Sequence, residues 1–183
     1  LLPAYMDTQA GEVVAHPLFP VCLEWPAILD CVNIPGSELS TPQERARGVH
    51  AAHDLHLFRP LKAGETLTTQ ATIVGLEAIR PGAAQTTRLD TVAEDGELVA
   101  RTYQLGITRG VAVSGEALVA EAVPALPEFF GDTEAARWQI AVPGGAAHAY
   151  TECARIWNPI HTDKAVAVAA GLPDIILHGT ATL

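Results

Sequence analysis

One short segment of the chain concentrates side chains that can exchange protons. It contains Asn158, followed directly by Pro159, with His161 three residues after the asparagine. Proline disfavours helical geometry at the residue before it, so the asparagine is expected in an extended turn that presents the histidine. Imidazole titrates near neutral pH and can accept or donate a proton. The segment therefore predicts an acid–base site at His161.

A second feature is Gly179, which is predicted to begin an apolar helix. The first N–H groups of a helix have no partner within it and lie at the positive end of its dipole. Because glycine has no Cβ, a carbonyl oxygen can approach this N–H closely, and the N–H can stabilise negative charge that develops on that oxygen. Together, His161 and Gly179 are a minimum set for proton transfer beside a thioester carbonyl.

An α+β unit is expected to precede this site. Residues 22–32 form an apolar stretch with helical character, after which the hydrophobic period changes from 3.6 to 2. The strands expected from this pattern cover residues 50–58, 66–79, 84–92 and 98–108, and residues 95–96 carry an Asp-Gly hairpin signal. One helix followed by a meander of long antiparallel strands predicts a sheet that wraps around the helix.

A second unit is expected to carry the site. Residues 111–136 are small, acidic and proline-bearing, which indicates a linker between a unit at 1–110 and one beginning at residue 137. The elements predicted after the linker are strands over 138–142 and 148–153 and a helix over 163–170. Both ends of the chain are interpreted as cuts in a longer protein, so 137–183 would be only the start of this unit.

A weak internal repeat relates residues 7–17 to residues 163–179. The first copy has Tyr5 in place of His161 and Pro17 in place of Gly179. Proline has no N–H to offer an oxyanion. The first unit is therefore interpreted as a degenerate copy used for binding and packing, with the chemistry in the second.

The composition excludes several function classes. The 183 residues are 49% hydrophobic and 17% charged, so a substantial core is expected. A net charge of −10 argues against binding to nucleic acid or to an anionic membrane surface. No apolar run reaches the roughly 20 residues of a membrane span, and the first residues do not resemble a signal peptide. The odd cysteine count, three, argues against a disulfide framework. A cytoplasmic protein is expected.

His50, His53 and His56 recur every three residues and suggest a metal site at first sight. In a regular strand, however, His53 would face away from His50 and His56. Three convergent ligands are not expected, so no metal site is predicted.

The chemical segment resembles a known family, the MaoC-like, R-specific enoyl-CoA hydratases/dehydratases of the hot-dog fold. The resemblance rests on three motifs in matching order and spacing: Asn158-Pro159-Ile160-His161-Thr162-Asp163, Ala170-Gly171-Leu172-Pro173 and Ile176-Leu177-His178-Gly179. Residues 54–67 show a further likeness to the same family. It implies a double hot dog, in which a long antiparallel sheet wraps around a central helix in each unit and the second unit is incomplete in this chain.

The resemblance also implies an activity. The expected reaction is reversible addition of water to a 2-enoyl thioester of CoA or acyl carrier protein, a lyase reaction of fatty acid metabolism. Gly179 N–H would stabilise the enolate oxygen, His161 would exchange the proton with water or C2, and Asn158 would hold the loop. Tyr150 and Asp163 are supporting candidates. No cofactor is required beyond the thioester carrier, and a homodimer is expected.

One position departs from the family pattern. The family's catalytic aspartate lies two residues before Asn-Pro, where this chain has Ile156. Another carboxylate could substitute (Glu152 or Asp163), His161 could act alone, or the chemistry could differ. The alternatives to hydration are thioester hydrolysis and a non-catalytic acyl-thioester binding subunit. A pocket built for water should accept Ile156→Asp, whereas a dry apolar pocket should be destabilised by it. We expect acceptance, with hydratase activity at or above that of the parent.

Overall fold

A computed structural model describes residues 9, 11, 13–34, 40–125, 137 and 139–182. The first long element is helix α1 (Pro20–Asp30), which continues into a 3-10 turn at Cys31–Asn33. Proline is well placed at its first position because the N–H it lacks would have no partner there. A short helix, α2 (Pro42–Arg45), follows and begins with a capping box between Thr41 and Glu44. The predicted helix over 22–32 is confirmed.

Four long strands follow α1, and their bounds agree with the predicted segments to within two residues. They are β1 (Gly48–Leu57), β2 (Leu67–Ile79), β3 (Gly82–Ala93) and β4 (Leu98–Arg109). A short β5 (Leu118–Val119) completes an antiparallel sheet of order β1-β4-β3-β2-β5. Strands β2 to β4 form a meander, whereas β1 pairs with β4 at the far side. The predicted α+β class is confirmed.

The turns between these strands have clear local causes. At the β2–β3 turn, Gly82 has φ +151°, and a Cβ at this position would come within 2.1 Å of the carbonyl oxygen of Thr108. Only glycine fits so close to another backbone. At the β3–β4 turn, Gly96 has φ +87° and Asp95 accepts a hydrogen bond from the N–H of Glu97. The Asp-Gly hairpin signal is thus confirmed.

Helix α1 and the segment after β4 cover opposite faces of the sheet. On the helix side, Thr102 of β4 donates a hydrogen bond of 2.5 Å to the buried carboxylate of Glu24. The next residue, Tyr103, points the other way and donates to Glu121, which also pairs with Arg88. Part of the predicted linker is therefore bound to the sheet through β5 and Glu121, and is not a free spacer. Residues 126–136 lie outside the described part.

The second part of the chain is helical where it is described. Its elements are α3 (Ala146–Ala154), α4 (Lys164–Ala169) and 3-10 turns at Pro159–His161 and Gly179–Thr182. The predicted strand over 148–153 is wrong, because the alanines of this segment favour helix. Residues 139–142 form no regular strand, and residue 138 lies outside the described part. The helix predicted over 163–170 is confirmed as α4, whereas Gly179 begins a 3-10 turn.

The histidines of β1 do not alternate as expected. The pairing with β4 shifts register between His50 and Ala52, and this bulge brings the rings of His50 and His53 to 5.2 Å. His56 packs instead edge-on against Tyr103. The expectation that His53 faces away from His50 is wrong. Within the described ranges, no group of three or more His, Cys, Asp or Glu side chains could hold a metal, and no helix could span a bilayer.

Candidate functional site

The site begins where α3 ends. Arg155 takes a left-handed conformation with φ +56°, which is uncommon for a residue with a side chain. This residue stops the helix and turns the chain, so that Ile156 points into the protein while Trp157 stays exposed. The following Asn158 is extended, as expected before proline, and the chain then makes the 3-10 turn that ends at His161.

His161 is buried and held in one tautomer. Its Nδ1 lies 2.8 Å from the carbonyl oxygen of Ile176. A carbonyl can only accept, so Nδ1 carries the proton and Nε2 has a free lone pair when the ring is neutral. Burial lowers the pKa of His161, although the hydrogen bond to Ile176 works in the opposite direction. The ring is therefore neutral at pH 7, as a general base must be.

His178, which was not among the predicted site residues, lies directly against this ring. The two imidazoles are stacked with centroids 3.6 Å apart and planes 24° from parallel. The ring of Tyr150 packs against His178 at 4.8 Å. Burial, and then the nearby charge of protonated His161, lowers the pKa of His178. The sequence signal for His178 is the Ile-Leu-His-Gly motif, in which only the glycine is predicted as a site residue.

Gly179 follows His178 and therefore lies in the same neighbourhood as His161. It is the first residue of a 3-10 turn, so its N–H has no acceptor within that turn. Space around its Cα is open: apart from Gly179 itself and its two neighbours in the chain, no described residue has an atom within 4 Å of where a Cβ would be. The hydroxyl of Tyr150 donates a 3.0 Å hydrogen bond to Thr180, which attaches this turn to α3. A carbonyl oxygen could reach the Gly179 N–H.

The remaining predicted site residues have local structural contacts. The amide oxygen of Asn158 accepts a long hydrogen bond, 3.4 Å, from the N–H of Ile160. Asp163 caps α4, and its carboxylate accepts from the N–H groups of Ala165 and Val166. A capping carboxylate is already occupied, so Asp163 is poorly placed to replace the family aspartate. Glu152, the other candidate, is exposed on α3.

Ile156 lies in an apolar cluster that joins the two parts of the chain. It is 6% exposed and packs with Val21 of α1 and Ala154 of α3. Partly buried Cys22, Trp25 and Tyr150 surround these three residues. The position is buried among apolar side chains, which argues against the prediction that Ile156→Asp would be accepted. The sequence spacing could not show that α1 packs here.

A cleft of about 400 Å³ opens beside the site. Its walls include Ala147 at the start of α3 and the segment Asp174–Leu177, whose Ile176 carbonyl anchors His161. The cleft thus reaches the backbone segment that binds His161 and that leads into the Gly179 turn. Its volume is within the range of small-ligand clefts, and among the described residues it reaches the site through the segment Asp174–Leu177.

Comparison with known protein families gives a match over the first part of the chain. Residues 1–102 match the family profile "FAS1-like, dehydratase domain region". A UPF0336 protein of Thermobifida fusca is 28% identical over 119 residues, 62% of this chain and 76% of that protein.

The fold is similar to that of longer solved structures. A MaoC-like dehydratase from Phytophthora capsici matches 97% of this chain and 61% of its own with a TM-score of 0.74 and 23% identity. HtdX of Mycobacterium tuberculosis matches 93% of this chain and 60% of its own with a TM-score of 0.66 and 16% identity. The chain spans about three fifths of the length of these structures. Their likeness confirms the predicted hot-dog fold.

Proposed function

The chain belongs to the FAS1-like dehydratase region family, and from this premise we propose that it carries out the reversible hydration of a 2-enoyl thioester to a 3-hydroxyacyl thioester. The observation that carries the proposal is the state of His161. Its Nδ1–H is bound to the Ile176 carbonyl, so that Nε2 of a buried, neutral ring is left to take a proton. A histidine prepared in this way is what removal of a proton beside a carbonyl requires.

The proton transfers balance with this one base. In the dehydration direction, Nε2 of His161 takes the proton from C2, and the electron pair moves onto the thioester oxygen. The N–H of Gly179 would stabilise that enolate oxygen. The enolate then re-forms the carbonyl as the C2=C3 bond forms and the C3–O bond breaks, and the leaving hydroxide takes the proton back from His161 as water. No oxidation state changes, so the proposal needs no cofactor.

The two parts of the chain have different roles in this proposal. Residues 1–110 form the unit for binding and packing, and the unit beginning at residue 137 supplies the chemistry. The apolar cluster of Ile156, Val21 and Ala154 joins them. We place the protein in the cytoplasm as a homodimer that acts on a thioester of CoA or acyl carrier protein.

A second candidate function is favoured by Ile156. The resemblance implies a carboxylate at the position where this chain has an apolar side chain in an apolar cluster. Without a second group to orient water, the chain could bind acyl thioesters and leave catalysis to a partner. A binding subunit would keep the cleft and the Gly179 turn but would not need the Nε2 of His161.

One set of assays separates these functions. Crotonyl-CoA is incubated with the chain while the enoyl-thioester absorbance and the release of free thiol are followed together. Loss of absorbance without thiol release supports hydration, and His161→Gln should then reduce turnover by ~10²–10⁴-fold. Tm and circular dichroism of His161→Gln provide the control for folding.

The other outcomes are equally informative. Thiol release at the rate of absorbance loss would identify a hydrolase and overturn the proposal. Neither signal, together with saturable binding of crotonyl-CoA by calorimetry, would favour the binding subunit. Turnover by His161→Gln at the parental rate would show that His161 is not the base.

A further inference from the structure

His178 is buried beside the base but has no part in the proton transfers proposed above. It is 2% exposed, and its ring packs against the rings of both His161 and Tyr150. It is also joined covalently to Gly179. This one side chain therefore touches the base and is attached to the residue that offers the oxyanion N–H.

The contacts of His178 define its tautomer. Its Nε2 lies 3.2 Å from the hydroxyl oxygen of Thr151 and 3.3 Å from the carbonyl oxygen of Ile156. The Ile156 carbonyl can only accept, and the hydroxyl of Thr151 already donates to the carbonyl of Ala147 at 2.9 Å. Both oxygens thus accept from His178, so the proton is on Nε2. His178 and His161 are opposite tautomers.

The other ring nitrogen explains why His178 stays neutral. Its Nδ1 is buried and has no hydrogen-bond partner within the described part of the chain. Protonation at Nδ1 would bury a charge without an acceptor, which is costly. The titratable groups that face the ring are His161 and Tyr150. Among the described residues, no hydrogen bond or ion pair joins a carboxylate to either imidazole.

A neutral ring at this place has a geometric consequence. It can remain stacked on His161 whether that base is neutral or has just taken a proton, whereas two charged rings at 3.6 Å would repel. The stack, the Thr151 and Ile156 contacts and the Tyr150–Thr180 bond leave little freedom for the Gly179 turn. The distance from Nε2 of His161 to the Gly179 N–H is then fixed through the ring between them.

We propose that His178 is a positioning residue: a neutral imidazole in the Nε2–H tautomer that fixes the ring of His161 relative to the N–H of Gly179. The inference rests on the proposed function, because it assigns His178 a task in that reaction. Its structural part, the tautomers and the stacking, can be tested without any turnover.

The first test measures ring ¹⁵N shifts of the uniformly labelled chain by NMR across about pH 5–8, the range in which imidazoles titrate. We expect His178 to show the Nε2–H tautomer throughout, and His161 to show the Nδ1–H tautomer until it protonates. Protonation of His178 before His161, or an Nδ1–H tautomer for His178, would overturn the proposal.

The second test compares two substitutions. His178→Phe keeps a flat ring for stacking, so the pKa of His161 should stay lowered, while kcat falls by up to about 10-fold with little change in KM. His178→Ala opens space for water beside His161, so its pKa should rise towards the ordinary value. Loss of position should then reduce kcat by ~10²-fold. Val99→Ala, at a fully buried position of β4, is the control for lost stability.

The outcomes separate this inference from the proposed function. If His178→Ala leaves the tautomer and pKa of His161 as in the parent, or Val99→Ala changes them equally, His178 is not a positioning residue. If His178→Ala does not fold, the ¹⁵N shifts of the parent and of His178→Phe decide. If the parent shows no hydration, the proposed function fails, and the NMR comparison still decides the positioning of His161.

Discussion

The substitution Ile156→Asp tests whether the site is a water pocket or an apolar contact between the two parts of the chain. The resemblance of the motifs implies an aspartate at this position, so the change restores the pattern that the resemblance implies. In the structure, however, the side chain meets Val21 and Ala154 and is 6% exposed. A carboxylate here would lose contact with water and gain no donor from Val21 or Ala154. The donor it could reach in this cluster is the buried indole N–H of Trp25, which has no hydrogen-bond partner within the described residues.

The cost follows from two contributions. Loss of a buried isoleucine side chain removes about 2–4 kcal/mol of packing and transfer free energy. Burial of a carboxyl group without partners adds about 2 kcal/mol, most of it taken up by a raised pKa that neutralises the group. The sum, about 4–6 kcal/mol, is a large part of the 5–15 kcal/mol that stabilises an ordinary domain. For a chain of this size we expect Tm to fall by roughly 10–20 °C.

Ile156→Asn is the matched control, since it has the same shape without the titratable proton. Urea unfolding followed by circular dichroism should show both variants strongly destabilised at pH 7, with the aspartate variant the worse. Because its folded carboxyl pKa is raised, the folded state binds the proton more tightly, and the difference from Ile156→Asn should shrink as pH falls towards 5. An aspartate variant within about 1 kcal/mol of the parent that also hydrates crotonyl-CoA faster would refute the packing argument.

Three further predictions concern stability. Burial lowers the pKa values of His161 and His178, so the unfolded chain binds protons more tightly than the folded chain. The free energy of unfolding should therefore fall as the pH drops from about 7 to 5. Urea titrations should show a smaller fall for His178→Phe, which has one such histidine fewer. Asp163→Ala removes the cap of α4 and should cost about 1 kcal/mol in urea unfolding, whereas Asp163→Asn should cost much less. Glu121→Gln weakens the contacts with Arg88 and Tyr103 and should cost about 1–2 kcal/mol; an unchanged unfolding midpoint would show that the segment after β4 is not fixed by this residue.

The sheet could be predicted because its causes are local. Alternation of side chains over β2 to β4 and the Asp95-Gly96 turn are both visible in a few consecutive residues. The position of β1 beside β4 could not be obtained in this way, because strand order depends on contacts between distant segments. The helix α3 was missed because residues 148–153 mix strand-forming side chains with alanine.

The sequence predicts only those candidate site residues that belong to recognisable motifs. Motif spacing predicts His161 and Gly179 as site residues, and the structure places both beside His178. The role of that third residue depends on ring geometry, since the stack and the tautomer are properties of distances and acceptors. The environment of Ile156 depends on α1, which lies far away in the sequence. No pattern around residue 156 could therefore show that its side chain is buried against that helix.

The packing of α1 against Ile156 means that the first unit determines the polarity of the site in the second. A carboxylate at this position would need water or a donor on the side now occupied by Val21 and partly by Trp25. Because this chain has no carboxylate of its own at residue 156, a single imidazole must both take the proton and return it, and its efficiency depends on how well it is held. This is the physical reason to expect strong effects from His178 and weak compensation by Glu152 or Asp163. If the chemistry proceeds here, it proceeds through one well-positioned base.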